Sequence, residues 1–563
     1  MTIDGCPASV TTPAGIRPVD HAAQADELIM GLVREPWGQV SPSVYETARL
    51  VALSPWLTGH AERVAYLLGA QRPDGGWGGP GGYALVPTLS AVDALLSVLR
   101  HRSHGAGRRA IARSADRGLR MLCVLATNLR TGDGTGGVSA MDVPDMPAVD
   151  IIAASLTTSI EEHLRTLRHS PPEGQQSWPL WTVPALLGGL GRERLDLVRA
   201  ALKAGVTLPE KVFHALEVAG EAAAGAPGVP PAATGTVGAS PAATAAWLGE
   251  RGAREPGHPA RRFLEKVVRR QDGPVPCGIP ITVFERSWVI GSLLRAGLSP
   301  TVPAEITAGL AAALGPDGTP ASAGLPADAD TTAMTLYSLS LLGVKRSPDA
   351  LLRYETDTHF CTWPGEDGHS ASVNAHVLDA FGEYLRYAER YTCADQSDVE
   401  HRFVAVVRKL SSWLCGEQRR DGSWHDRWHA SPYYATACCV LALSDFGVGD
   451  AASAVDRAVA WVLATQRPDG SWGVWESTAE ETAYALKILL LARPVSDLAI
   501  DRAVAKGHRH LLGAARRGGR PALWHDKDLY LPAAVVDAEI LAVLHLAALR
   551  QARRTPSGRP QEE

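Results

Sequence analysis

Cysteine is scarce in this chain: eight in 563 residues, scattered, with only Cys438 and Cys439 adjacent. Such spacing gives neither a disulfide framework nor paired zinc ligands, and it suits a reducing compartment. Positive charge is not in excess. The formal net charge of -5 argues against a nucleic-acid partner. No charged-then-apolar leader stands at Met1–Val10, and no uncharged apolar run reaches the length of a bilayer crossing. The expectation is a cytoplasmic protein without a transmembrane segment. Period-two alternation is nearly absent, which removes sheets as the main architecture.

What is present is an all-α pattern. Apolar residues recur at helical spacing over 84–100, 150–166, 242–250, 285–297, 331–343, 371–387, 399–415, 432–446, 452–465, 480–492 and 533–549. Hydrophobic residues make up 45% and charged residues 20%, as in globular proteins, and the length exceeds one ordinary core. Tryptophan, at 15 copies, outnumbers both tyrosine and phenylalanine. Three stretches explain part of this: "QRPDGGWG" from Gln71, "QRRDGSWH" from Gln418 and "QRPDGSWG" from Gln466, with an echo "QDGPVP" from Gln271. Trp424 and Trp472 stand one helix pair apart, so the repeat unit is a helical hairpin. Each copy is expected to tie an Asp-Gly turn to the next helix through its Gln and Trp, a structural role. Residues 219–240 are Ala/Gly/Pro-rich and read as a connection near a domain edge, and residues after Arg550 read as a flexible tail.

One short stretch, "GLPADADTTAM" at 324–334, places Asp328 and Asp330 just ahead of an apolar helix. Asp330 suits the helix N-cap, since its carboxylate can accept from free first-turn amides. Met334, Tyr337 and Leu341 then keep helical spacing until Gly343, and Pro326 holds the approach extended. A cap accounts for one aspartate and leaves Asp328 without a role. His425 and His429 have the spacing of two metal ligands on one helix face, but no Glu or Cys partner stands with them, so both are read as structural.

Longer blocks carry a family resemblance. "LPEKVFHALE" (208–217), "GTVGASPAATA" (235–245), "GPVPCGIPITVFERSW" (273–288), "WHDRWHASPYYATA" (424–437), "GSWGVWESTAEETAYAL" (470–486) and "LWHDKDLYLPAAVV" (523–536) resemble those of bacterial class II diterpene cyclases of the copalyl diphosphate synthase type. The resemblance implies two α/α barrels, β and γ. By analogy the β domain takes 22–35 as its first helix and continues over 271–550. The inserted γ domain takes 36–270, and 551–563 is a tail. The active site would be an apolar cavity between the barrels. The resemblance makes Asp330 the acid that protonates the substrate alkene, in an Asp-x-Asp-Thr form of the family's Asp-x-Asp-Asp motif. Thr331 departs from the commonest residue, as in other bacterial members. Ser370 and Asn374, in "SASVNAHVL", match residues that hydrogen-bond the acid and orient its proton.

The chemistry demands such a set. Protonating an unactivated alkene needs an un-ionised acid in a dry place, whereas an ordinary Asp, with a pKa of about 3.9, is ionised near neutrality. Burial and a neighbouring carboxylate both hold the proton on, while a helix N-terminus favours the anion left behind. The migrating carbocation needs aromatic faces; Trp288 and Tyr434 are the first candidates, with Trp363 and Tyr433 behind them. His214 matches the histidine of the water-binding His–Asn base in plant relatives, but Cys277 stands where the asparagine would be. Lys211, Arg427 and Lys527 can pair with diphosphate oxygens. Asp150 occupies the family's acidic position near that group, with Asp142 and Asp145 close in sequence, which implies Mg2+ as a helper. No Asp-Asp-x-x-Asp cluster exists to ionise the diphosphate. The resemblance therefore implies an isomerase that turns geranylgeranyl diphosphate into a bicyclic labdane-type diphosphate, passed to a downstream class I diterpene synthase. Two alternatives stand beside it: a squalene-hopene-type triterpene cyclase, and a non-catalytic prenyl-binding α/α-barrel protein. Oligomeric state and ring stereochemistry are not legible.

Overall fold

The computed structural model describes residues 20–100, 107–130, 143–169, 191–391, 398–492, 497–514 and 520–554. Helices dominate, and the strands among the described residues are two-residue pairs. Every helical stretch expected above is present, among them Leu85–Arg100, Val149–His169, Thr282–Arg295, Ala329–Leu341, Ala371–Tyr391 and Pro432–Phe446. The last helix, Ala533–Arg554, runs past Arg550, so the expected tail does not begin there. Residues 555–563 lie outside the described residues.

The apolar side chains collect into separate cores. The largest takes Ala25, Ile29 and Leu32 from the His21–Arg34 helix and then runs from Trp288 to Ala547. A second is built between Val44 and Val218, and two smaller ones lie at its flank between Leu50 and Ile279 and between Leu202 and Ala246. The chain thus starts in one body, builds another and returns to the first. The stretch read as a connection, 219–240, is packed instead: Ala219, Ala223, Ala226, Val229 and Val237 are buried. A kinked 3-10 segment, Glu210–Ala223, leads into it, with Gly220 at φ 61°. The helix around Leu85–Arg100 is long and apolar enough to cross a membrane, with a mean hydropathy of 1.5, yet 83% of that window is buried in the second core.

The Gln–Trp repeats do the structural work expected. Gln71, Gln418 and Gln466 each donate to the glycine carbonyl of their own turn at 2.8–2.9 Å. The same amides also reach Ser114, Ala454 and Ala503 on a following helix. Trp77, Trp424 and Trp472 are wholly buried and donate through Nε1 to Leu67, Leu414 and Val462 of the helix before. The turn needs glycine. Gly422 sits at φ +97°, and a Cβ there would stand 2.5 Å from the Arg457 carbonyl oxygen.

Candidate active site

Between the two main bodies lies a cavity of about 390 Å³. Pro147, Ala148, Lys211, His214 and Ala239 wall it from the inserted side, and Asp328, Asp330, Phe284, Trp363, Trp524, Asp526 and Tyr530 from the other.

The acid pair is held by local structure. Ala327–Asp328 pairs antiparallel with Thr319–Pro320, and the helix Ala329–Leu341 starts directly after it. Asp328, not Asp330, is the N-cap: its backbone is extended, and its carboxylate accepts from Thr331 N at 2.6 Å. The strand pairing sets this, because it ends at Asp328 and leaves Asp330 inside the first helical turn, with its side chain free for the cavity. Burial pushes the Asp328 carboxyl up to about 7, aided by the charge of Asp330 and opposed by the Thr331 amide.

Asp330 meets a partner the sequence reading missed. His376 Nδ1 lies 2.7 Å from Asp330 Oδ1. Burial lowers the His376 pKa, but the Asp330 carboxylate outweighs it and leaves the imidazole well above its ordinary value. His376 is thus an imidazolium that donates to Oδ1, and Oδ2 is the Asp330 oxygen left for the cavity. The cationic neighbour and the helix N-terminus would both stabilise an anion left on Asp330 after it gives up a proton. Asp328, neutral up to about pH 7, adds no like charge.

Ser370 and Asn374 do not hold the acid. Ser370 Oγ donates to Asp426 at 2.7 Å. Asn374 accepts from Phe360 N at 2.8 Å and donates to the carbonyls of Phe360 and Ser370. Two positions along a helix are roughly 200° of rotation. Asn374 therefore faces the Phe360 loop while His376 faces the acid.

The aromatic assignment shifts in the same way. Trp288 and Tyr434 line not the main cavity but a smaller one of about 50 Å³ behind it. Trp288 stands edge-on to His376 at 5.4 Å and donates to the Tyr434 hydroxyl at 3.4 Å. They brace the rings that do face the cavity: Phe284 lies 4.4 Å from Trp288, and Trp524 lies 4.7 Å from Tyr434. Trp363 lines the cavity as expected, whereas Tyr433 packs on Trp461. His429 gains a carboxylate from a distant helix, with Nε2 3.1 Å from Glu480, and Trp524 Nε1 donates to the same oxygen at 2.8 Å. His425 takes no part in that cluster, and no group of three potential metal ligands occurs among the described residues.

The expected phosphate binders Lys211, Arg427 and Lys527 all line the cavity, but the Lys527 ammonium is spent on other groups. Lys211 Nζ is 3.4 Å from the Gly365 carbonyl. Arg427 pairs with Glu366 at 2.6 Å and Asp145 at 2.9 Å. Lys527 is 0% exposed and is consumed by Glu46, by Glu217 at 3.0 Å, by Ser240 Oγ and by the His214 carbonyl. Asp150 turns to Arg194 at 3.2 Å, while Pro147 and Ala148 of the same segment reach the cavity. Asp142 lies outside the described residues. The carboxylates beside the cavity are thus taken up by arginines, Asp145 and Glu366 by Arg427 and Asp150 and Asp367 by Arg194. That suits Mg2+ only in the mode where the ion keeps its waters and takes one or two carboxylates plus substrate phosphate oxygens.

His214 contacts Asp526 rather than residue 277: Nε2 is 2.8 Å from Asp526 Oδ1, and Nδ1 is 2.5 Å from the Gly238 carbonyl. Cys277 is buried, with Sγ 3.6 Å from the Asp528 carbonyl oxygen.

The raised Asp328 pKa fixes the sign of a stability test. Its folded value of about 7 lies above the unfolded carboxyl's, so the native state holds the extra proton between roughly pH 4 and 7. Stability is lost as pH rises through that window, and the penalty stays constant above it. Asp328→Asn keeps a capping oxygen and removes the penalty. The variant is expected to melt higher than the parent at pH 8, with the gap closing towards pH 4. Melting curves for both proteins across that range check it, and a gap independent of pH contradicts the assignment.

Comparison with known proteins agrees with this geometry. Residues 367–528 match the family model described as the squalene-hopene cyclase C-terminal domain. The chain is 39% identical over 546 residues to an ent-copalyl diphosphate synthase of Streptomyces sp. (strain KO-3988), covering 95% of this chain and 97% of that one. It is also 39% identical to a labda-7,13-dienyl diphosphate synthase of Streptomyces clavuligerus, covering 98% and 97%. The solved ent-copalyl diphosphate synthase from Streptomyces platensis superposes with a TM-score of 0.85 at 42% identity, covering 94% of this chain and 99% of that one. The fold and these relatives define a class II terpene cyclase, an isomerase. Within that class, the chain belongs to the family of bacterial copalyl diphosphate synthase-type diterpene cyclases.

Proposed function

We propose that the protein cyclises geranylgeranyl diphosphate to a bicyclic labdane-type diphosphate, copalyl diphosphate or a rearranged isomer. The observation that carries this reading is the Asp330–His376 pair, opening into a cavity with Lys211 and Arg427 in its wall. Asp330 Oδ2–H gives its proton to the CH carbon of the terminal alkene. The cation left on the dimethyl carbon is attacked by the next double bond, and that cation in turn by a third, closing two rings. Phe284, Trp363, Trp524 and Tyr530 offer faces to the positive charge and exclude water. Loss of a proton then restores a double bond.

Lys211 and Arg427 hold the diphosphate end. Mg2+ would neutralise part of that charge when bound, with Asp150 as the carboxylate the family resemblance assigns to it. The sequence has no carboxylate cluster of the kind that pulls diphosphate off an allylic carbon, so the group stays on the product. Squalene carries no anion for Lys211 and Arg427 to bind, which disfavours the triterpene reading. A cytoplasmic location and a class I diterpene synthase as the consumer of the product complete the proposal.

Purified protein given geranylgeranyl diphosphate and Mg2+ is expected to yield a bicyclic product that reaches the organic phase only after phosphatase treatment. Mass spectrometry and NMR of the resulting alcohol identify it. Free hydrocarbon formed without phosphatase, or intact substrate, contradicts the proposal.

A further inference from the structure

The hydrogen bonds around His214 leave it no lone pair. Nδ1 faces the Gly238 carbonyl at 2.5 Å, which accepts only, so Nδ1 carries a proton. Nε2 faces Asp526 Oδ1 at 2.8 Å. That oxygen also accepts from Lys527 N at 2.7 Å, as a carboxylate does. Nε2 therefore carries a proton as well, and His214 is an imidazolium. Burial works against the charge, but Asp526 overrides it and the His214 pKa lies above its ordinary value. Burial likewise opposes ionisation of Asp526, yet His214 keeps that carboxyl below its ordinary range. A cation with both nitrogens committed cannot remove a proton from a carbocation.

The second oxygen of Asp526 is placed differently. Oδ1 takes His214 and the Lys527 amide, and among the described residues none donates to Oδ2. Asp526 lines the cavity together with Gly278, and a Cβ on Gly278 would stand 3.5 Å from Oδ2. The absence of a side chain there leaves Oδ2 open. The acid Asp330 and Asp526 share the cavity, and both act on the Tyr530 hydroxyl that lies in its wall.

We infer that Asp526, not His214, is the base that ends the reaction, and that His214 is a positioning residue which keeps Asp526 ionised and oriented. This rests on the cyclase reading given above. Oδ2 takes a proton from the carbon next to the final cation. The two C–H electrons become the new double bond, and Asp526 becomes a carboxylic acid that returns its proton to water after release. Carbocation neighbours are such strong acids that an ion-paired carboxylate is basic enough. The same group explains why residue 277 is not needed as an amide: the partner of His214 comes from the loop at 526.

The test uses the full chain and geranylgeranyl diphosphate, with dephosphorylated products resolved by gas chromatography and mass spectrometry. Asp526→Asn keeps an acceptor for His214 but removes the base. Substrate should still be consumed, since Asp330 is intact. The share of water-captured or shift-rearranged products should rise about tenfold or more, given the size of general-base contributions. Asp526→Glu keeps the charge and moves the oxygen outward by one methylene, so it should fold even if the amide does not, and it should alter the position of the new double bond. His214→Gln can still donate to Asp526 and should divert less product than Asp526→Asn. The parent product mixture from both Asp526 variants overturns the assignment, as does a larger diversion by His214→Gln than by Asp526→Asn. No cyclic product from the parent enzyme would instead overturn the cyclase reading itself.

Discussion

Asp330→Asn is expected to abolish cyclisation while leaving the fold in place. The amide is nearly the size of the carboxyl and can still accept from His376, but it cannot deliver a proton to an alkene. The helix start does not depend on it, because Asp328 is the cap. A general acid is typically worth about 10²–10⁴ in rate, and here the loss should reach at least that range because no weaker donor protonates an alkene. Product formation should fall to the detection limit, with an unchanged helical circular dichroism spectrum. A variant with near-parent turnover would move the acid elsewhere, and Asp328 would then be the first alternative.

The second large effect concerns stability. Lys527 is fully buried between Glu46 and Glu217, so it joins the loop at 526–528 to the Val44–Leu53 helix and the Glu210–Ala223 segment. The adjacent Asp528 adds to the seam by accepting from Ser43 Oγ at 3.1 Å and Tyr45 N at 3.2 Å. Burial already pushes the Glu46 carboxyl up to about 7 against the pull of Lys527. Lys527→Met removes the cation and strands two carboxylates. Breaking a buried pair by deleting one partner costs about 3–5 kcal/mol. Chemical denaturation should show a loss of that order. An unchanged unfolding curve with a raised KM would instead return Lys527 to the diphosphate.

Lys527 also shows where sequence reading stops. As a letter in "WHDKDLYLP" it resembles any surface lysine, and only the meeting of segments hundreds of residues apart buries it. His376 and Asp526 were hidden for the same reason: His376 is defined by the helical face turned to Asp330, and Asp526 by a contact across 312 positions. The Val44–Leu53 helix escaped the periodic reading because Glu46 and Arg49 interrupt its apolar stripe. Both are buried, Glu46 on Lys527 and Arg49 on Asp93. Features made by neighbours in the chain were legible. The Asp-Gly turns, their tryptophans and most of the long periodic helices need only local spacing, although the helices Arg108–Arg130 and Leu498–Ala514 are absent from the periodic reading. The Asp pair was legible as a motif at a helix start, but not which member caps the helix, since the strand pairing with Thr319–Pro320 decides that. The expected residues Lys211, His214, Asp328, Asp330, Trp363, Arg427 and Lys527 do line one cavity, although Arg427 is already paired with acids, Lys527 is consumed by buried carboxylates and His214 has both nitrogens committed.

The central claim is that Asp330 starts the reaction by giving a proton to carbon. The same incubation with geranylgeranyl diphosphate, run in deuterium oxide, tests it most directly. The carboxyl proton of Asp330 exchanges with solvent before turnover, so the bicyclic alcohol obtained after phosphatase should be one mass unit heavier. NMR should place the deuterium on the ring carbon that was the CH of the terminal alkene. A cyclic product with no deuterium there would mean that the reaction starts by another route, and would contradict the account.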